Sequence, residues 1–171
     1  MNKIVPVFAC LAIFAGFATG QNKSVYTSTN TKVCRTIEST SKNAGYYRGL
    51  CPGVGGYKLE LIEGDIRQTL NVITPAKKKQ ELKFWEFYGS FSSIGDKVEW
   101  RTNRGVPVAL IARYYVADPE GVKKDTAFLI ISKIGPRVSC VTDVVEPKPK
   151  QNEQARILAD AASTKPCKQT E

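Results

Sequence analysis

The stretch that decides the fold is "YKLELIEGDIRQTLNVI", residues 57–73. Apolar and polar side chains alternate along both halves of it, on either side of a predicted turn at residues 63–65. The apolar positions are Tyr57, Leu59, Leu61, Ile66, Leu70 and Val72. A period of two on both sides of a glycine-containing turn is typical of a β-hairpin with one buried face.

Outward from this hairpin, the chain alternates between strand-like and turn-like segments. The polar residues 21–33 are expected to be loose. Further strands are predicted at residues 84–91, 97–102, 106–117, 126–134 and 137–145. After "EPKPK", an apolar stripe at helical spacing predicts a helix over residues 151–163. We therefore predict an α+β fold: six or seven mainly antiparallel strands, as a sandwich or a partly open barrel, with one C-terminal helix.

The first twenty residues are typical of an export signal. Lys3 precedes an apolar run of about 15 residues, and Ala18 and Gly20 place small residues before a predicted cleavage at Gln21. The run is shorter than the roughly 20 residues that a spanning helix needs. Val7–Cys10 loosely resembles a lipoprotein cleavage box, although it lies very close to Lys3. We expect a periplasmic or secreted protein that is not transmembrane, with one disulfide-stabilised domain over residues 21–171.

The cysteine count supports an oxidising compartment. Four cysteines remain after removal of the signal, and an even number in an exported chain predicts two disulfides. Of the three possible pairings we favour the two that join neighbours in sequence, Cys34 with Cys51 and Cys140 with Cys167. The second of these would tie the end of the helix to a strand.

The segment "CPGVGG", residues 51–56, could be a phosphate-binding loop, a metal or redox site, or a turn. A strand pattern follows it, whereas a dinucleotide fingerprint opens a helix, and no Gly-Lys-Ser/Thr is present. A metal site would need paired cysteines or histidine close by. We predict a tight turn tied down by Cys51.

The sequence contains no histidine, which excludes histidine-dependent nucleophilic, acid–base and metal chemistry. A Ser-x-x-Lys match at residues 39–42 lacks the companion motifs of penicillin-recognising enzymes and is expected by chance. Glu86 and Glu99 are the one carboxylate pair that could act on a glycan. Two solvated strand carboxylates are the more common arrangement. We expect no catalytic residues, no metal and no cofactor.

The middle of the chain is rich in aromatic residues and arginines. Such residues interleaved on a sheet bind sugars or anionic chains by stacking and charge, but tryptophans also fill cores. The candidate binding residues are Trp85, Trp100, Arg101, Arg104, Arg113 and Tyr115.

Three short motifs resemble those of small exported bacterial proteins of uncharacterised function. They are Cys-Pro-Gly at residues 51–53, Val-Glu-Trp-Arg at residues 98–101, and Ala-Arg-x-x-Ala-Asp at residues 155–160. The resemblance covers most of the chain after the signal and implies an exported protein. It implies no activity and no site residues.

The charge balance indicates the class of partner. The net charge is +9, and removal of the signal takes away Lys3 and no acidic residue, which leaves +8. We expect a non-catalytic binding protein for an anionic polymer, a lipid head group or another exported protein, and no nucleic acid in that compartment. The alternatives are a structural or accessory subunit that docks on another exported protein, and a carboxylate-based glycan hydrolase.

Overall fold

The structure is a computed structural model that describes residues 22–40 and 45–169. The predicted signal segment and its cleavage site lie outside the described residues, as do Ser41 and Lys42 of the Ser-x-x-Lys match.

Within the described residues, ten strands form one open sheet. The strands are β1 Lys23–Ser28, β2 Arg35–Thr40, β3 Tyr46–Cys51, β4 Lys58–Gly64, β5 Arg67–Ile73, β6 Lys79–Glu81, β7 Ser92–Asn103, β8 Val106–Val116, β9 Thr126–Lys133 and β10 Cys140–Val145. Their order is β10-β9-β8-β7-β5-β4-β3-β2, with β1 on β7 and β6 on β5. One α-helix, α1 Gln151–Asp160, follows β10.

The prediction of a mainly antiparallel β fold with one C-terminal helix is confirmed. The predicted number of strands, six or seven, is wrong, and so is the predicted sandwich or barrel, because ten strands form one open sheet. Every strand pair is antiparallel except β5 with β7, which meet at the single parallel pair Arg67–Ser92. The extra strands β1, β2, β3 and β6 are mostly polar or short. They therefore lack the alternation that predicts a strand. Part of the predicted strand 84–91 is instead a 3₁₀ helix, Phe84–Phe87.

The hairpin of β4 and β5 is confirmed, with one correction to its turn. Leu59 and Leu61 pair with Val72 and Leu70, and all four are buried. Gly64 pairs with Arg67, so the connecting residues are 65 and 66. The isoleucine at 66, predicted to face the core, is instead in the turn and 52% exposed. The turn geometry here overrides the strand preference of a β-branched side chain.

The main core lies on one face of the sheet and joins the hairpin to the strands that follow. Phe84 and Tyr114 meet edge to face there, with ring centroids 5.7 Å apart. The hydroxyl of Tyr114 is bonded to that of Ser92 at 2.6 Å, which satisfies its polar end inside the core. The largest fully buried side chains of this core are Trp100, Tyr114, Phe84, Leu59, Leu70, Leu110 and Ile130.

A second, smaller core lies on the opposite face of β8 and β9, beneath α1. The helix contributes Ala155 and Ala159, and Ala162 follows in a short 3₁₀ helix. Alanine side chains let the helix approach the sheet closely but bury little apolar area.

Both predicted disulfides are confirmed. Cys34 joins Cys51, and Cys140 joins Cys167, which ties the segment after α1 to β10. The turn prediction for "CPGVGG" is also confirmed. The amide of Tyr57 donates to the carbonyl of Val54 at 3.0 Å, and Gly55 and Gly56 have φ of +60° and +81°.

Candidate functional site

Two pairs of opposite charges join β7 to α1, and we call Glu99, Arg101, Arg156 and Asp160 the 99–160 clamp. Arg156 donates through Nε and Nη2 to the two Glu99 oxygens at 2.8 and 3.1 Å. Arg101 donates through Nε and Nη2 to the two Asp160 oxygens at 2.8 and 2.9 Å. Such paired contacts orient both partners more strictly than a single bond.

The clamp follows from the spacing of its residues. Glu99 and Arg101 are two apart on a strand, so both point to the same face of the sheet. Arg156 and Asp160 are four apart on a helix, so they lie one above the other on its side. The acidic residue comes first on the strand and second on the helix. Each charge therefore meets an opposite charge when the helix lies over the strand.

Strand β1 completes the surroundings of Glu99. Ser24 Oγ donates to Glu99 Oε1 at 2.5 Å, and Tyr26 Oη donates to Glu99 Oε2 at 3.0 Å. Burial by itself would raise the pKa of this carboxyl, but the hydrogen bonds from Arg156, Ser24 and Tyr26 outweigh it and lower the pKa. Glu99 is therefore an anion at neutral pH.

Beside the clamp lies an open cavity of about 240 Å³, lined by residues of β1, β7, β8, β9 and α1. We call it the basic cavity. Its charged lining consists of three cations, Lys97, Arg113 and Arg156, and one anion, Glu99. Its formal charge is thus +2, and Tyr26 at its edge adds a hydroxyl.

A bulge in β7 brings two of these cations together. Ile94 pairs with Tyr114 and Val98 with Ala112, so residues 95–97 lie opposite the single residue Arg113. Such insertions redirect side chains at functional sites. Thr29 holds the bulge, since its hydroxyl donates to the carbonyl of Gly95 at 2.5 Å.

Two of the cavity's cations keep an uncompensated charge. Arg113 donates to the amide oxygens of Asn152 at 2.9 Å and Gln151 at 3.3 Å, which are neutral partners. In the part of the chain that the structure describes, the ion pairs involve neither Arg113 nor Lys97. Arg156 is compensated by Glu99. An anion entering the cavity would therefore meet two available positive charges.

Two of the six candidate binding residues are inside the protein. Trp100 is fully buried in the main core, where its Nε1 donates to Thr27 Oγ1 at 2.8 Å. Arg101 is 7% exposed and belongs to the clamp. Trp100 packs in the core and Arg101 links β7 to α1, so neither side chain is available for contact with a partner.

The other four candidates do not share one surface. Arg113 lines the basic cavity, and Tyr115 lies half-buried two residues further along β8. Arg104 is exposed in the turn between β7 and β8, with φ of +49°. Trp85 belongs to the 3₁₀ helix Phe84–Phe87 and lines a separate cleft.

Sequence reasoning missed Tyr26, Lys97 and Arg156 as cavity residues. Two weak signals were available. Gly95 lies inside a strand pattern shortly before Lys97, and a glycine in such a place often marks a bulge. In addition, the acidic residue precedes the arginine in the motif at 98–101 and follows it in the motif at 155–160. No local pattern shows that β1 contributes Tyr26.

The structure does not bring Glu86 and Glu99 together as a glycosidase pair. Glu86 is exposed and pairs with Lys83 at 3.0 Å beside the 3₁₀ helix. Glu99 is held between β1 and α1 by partners of its own. Its lowered pKa is also the reverse of what a general acid needs.

Two kinds of feature are absent from the described residues. None of the helices there is both long and apolar enough to cross a membrane. No three His, Cys, Asp or Glu side chains within residues 22–40 and 45–169 are grouped so as to hold a metal ion. Comparisons with protein-family models, curated proteins and solved structures found no match.

Proposed function

We propose that this protein is an exported, non-catalytic binding protein that holds an anionic group of an envelope or extracellular polymer in the basic cavity. The observation that carries the proposal is the pair of uncompensated cations, Lys97 and Arg113, at one cavity. The two disulfides support an oxidising compartment outside the cytoplasm.

The size of the cavity favours a single charged group over a whole small molecule. Its volume of about 240 Å³ is below the range of roughly 300–1,000 Å³ that is common for drug-sized ligands. A carboxylate or phosphate carried on a polymer would enter, while the rest of the chain would remain outside. The net charge of +9 for the whole sequence would attract such a polymer from a distance.

The surroundings of Glu99 favour binding over catalysis. Its charge is held by Arg156 and by the hydroxyls of Ser24 and Tyr26. A carboxylate with these partners orients Arg156 at the cavity and has no proton to donate at neutral pH.

The test is binding of the purified protein to a polyuronate at low and high salt. We expect the Kd to rise by at least about tenfold between roughly 50 and 500 mM salt, because screening weakens charge attraction. The variant Lys97→Gln/Arg113→Gln should weaken binding at low salt by at least about tenfold. Circular dichroism would establish that the variant is folded.

The matched control is Lys123→Gln/Lys124→Gln, which removes the same charge from the exposed connection between β8 and β9. We expect it to change the Kd by no more than about twofold. Equal losses in both variants would show attraction by overall charge and contradict the cavity site. Salt-independent binding would contradict an anionic partner, and preference for anionic lipid vesicles would contradict a polymer.

A further inference from the structure

A second cleft, of about 490 Å³, lies on the other half of the sheet, away from the basic cavity. We call it the Trp85 cleft. Its walls carry two aromatic side chains, Tyr46 and Trp85, together with Ile62 and one cation, Arg67. Gly64 and Gly89 also line it. A largely apolar concave site with a few polar groups is the usual form of a small-ligand site.

The backbone that carries Trp85 is held in place by its neighbour. Phe84 is fully buried in the main core, and its amide donates to Thr69 Oγ1 at 2.8 Å. The 3₁₀ helix is therefore anchored by Phe84, while Trp85 is half-buried at the cleft. A backbone anchored in this way does not have to be ordered when a ligand stacks on the Trp85 ring, which lowers the entropic cost of binding.

The polar groups at the cleft suit an uncharged ligand. Arg67 is bonded to the carboxylate of Asp65, and its Nη2 lies 3.5 Å from the carbonyl oxygen of Gly89. Asp65 balances the charge of Arg67, so the one cation that lines the cleft is already compensated. Arg67 is a hydrogen-bond donor, and a hydroxyl oxygen, which accepts hydrogen bonds, is a suitable uncharged partner for it.

Gly89 leaves open space at the wall of the cleft. A Cβ placed on Gly89 would meet nothing within 4 Å, and its φ lies outside the left-handed region. Neither packing nor backbone geometry therefore demands glycine at this position. A larger side chain there would extend into free space at the cleft.

We propose that the Trp85 cleft binds one pyranose ring of a β-linked, gluco-configured saccharide, stacked on Trp85 with a hydroxyl accepting a hydrogen bond from Arg67. In such a ring every hydroxyl is equatorial, so the two faces carry only C–H groups that pack on an aromatic surface, while the rim forms hydrogen bonds. The ligand and the cavity both differ from those of the proposed anion site.

The test is titration of the whole protein with cellotetraose and with tetra-N-acetylchitotetraose, followed by calorimetry and tryptophan emission. We expect a Kd on the order of 1 mM for at least one of them. Emission should shift to the blue, because the sequence has two tryptophans and only Trp85 is accessible. A β-1,4-galactan fragment, whose axial O4 breaks one flat face, should bind more weakly.

Two variants test the location. Trp85→Ala removes the stacking surface, and Gly89→Leu adds a large side chain at a lining position of the cleft where a Cβ meets no other atom within 4 Å. We expect each to weaken binding by at least about tenfold, with partial recovery in Trp85→Tyr. The variant Lys97→Gln/Arg113→Gln should bind the saccharides normally, which separates this site from the basic cavity.

The proposal is wrong if no gluco-configured oligosaccharide binds at up to about 10 mM. It is equally wrong if Gly89→Leu and Trp85→Ala bind as the unmodified protein does. Loss of saccharide binding in Lys97→Gln/Arg113→Gln alone would move the sugar to the basic cavity and would also overturn it.

Discussion

Ile66 adopts a backbone conformation that its side chain disfavours. It follows Asp65 in the two-residue turn of the β4–β5 hairpin. The φ of Asp65 is +52° and that of Ile66 is +57°. Positive φ at both positions is the signature of a type I′ turn, for which Asn-Gly is the common choice. Asp tolerates this region, but a β-branched residue there is an outlier. The amide of Ser92, which donates to the Ile66 carbonyl at 3.0 Å, helps to hold the turn.

At this residue we predict that Ile66→Gly raises the free energy of unfolding by about 0.5–1 kcal/mol. The left-handed region costs an ordinary residue roughly 1–2 kcal/mol, and the greater flexibility of glycine in the unfolded chain offsets part of the gain. Ile66 is 52% exposed, so little burial is lost. Urea denaturation measures the change. Ile66→Val, which keeps the branching, should show no gain, and a gain there would contradict the explanation.

At the scale of elements, α1 is held mainly by its charges and by the disulfide that follows it. Its buried face consists of Ala155 and Ala159, while Ile157 is 71% exposed. The 99–160 clamp joins the helix to β7, and the Cys140–Cys167 disulfide joins the segment after it to β10. A helix with so little apolar burial depends on such attachments.

We predict that Cys140→Ser/Cys167→Ser increases amide hydrogen exchange over residues 151–169 and leaves the β4–β5 hairpin protected. The disulfide spans 27 residues, and closing a loop of that size stabilises by roughly 3–4 kcal/mol in the chain-entropy model. Asp160→Asn, which weakens the Arg101 contact and retains the disulfide, is the matched comparison. Unchanged protection of α1 without the disulfide would show that its alanine face and the clamp suffice.

At the scale of the whole molecule, one sheet carries a core on each face, and the clamp lies at the edge of the smaller core. The carboxyls of Glu99 and Asp160 both have lowered pKa values, because arginine and other hydrogen-bond donors outweigh the effect of burial. A carboxyl whose pKa is lowered in the folded state stabilises the fold at pH values above the pKa that it has in the unfolded chain. That contribution is lost as the pH falls through the folded value.

We therefore predict that the free energy of unfolding decreases as the pH falls from about 5 to about 3. In Glu99→Gln/Asp160→Asn this decrease should be smaller, since neither position can then take up a proton. Urea denaturation at a series of pH values measures the slope. Glu120→Gln, in an exposed turn, is the control and should keep the slope of the unmodified protein. An unaltered slope in the double variant would contradict the assignment.

The sequence by itself determined the features that depend on neighbouring residues. The alternation of Leu59, Leu61, Leu70 and Val72 specifies a hairpin and its buried face, because side-chain direction in a strand repeats every two residues. The four cysteines that follow the predicted signal and the apolar stripe of α1 similarly predict the disulfides and the helix. The strand count failed where polar strands such as β1 pair through their backbones and carry no pattern of burial.

Only the tertiary structure decided what the functional residues do. Trp85 and Trp100 both lie in segments that were predicted as strands, yet Trp100 is in the core and Trp85 lines a cleft. The basic cavity joins Tyr26, Lys97, Arg113 and Arg156, which are distant along the chain and meet because β1 pairs with β7 and α1 packs on the same face. Long-range contacts of this kind depend on the packing of whole elements, and a local pattern does not encode them.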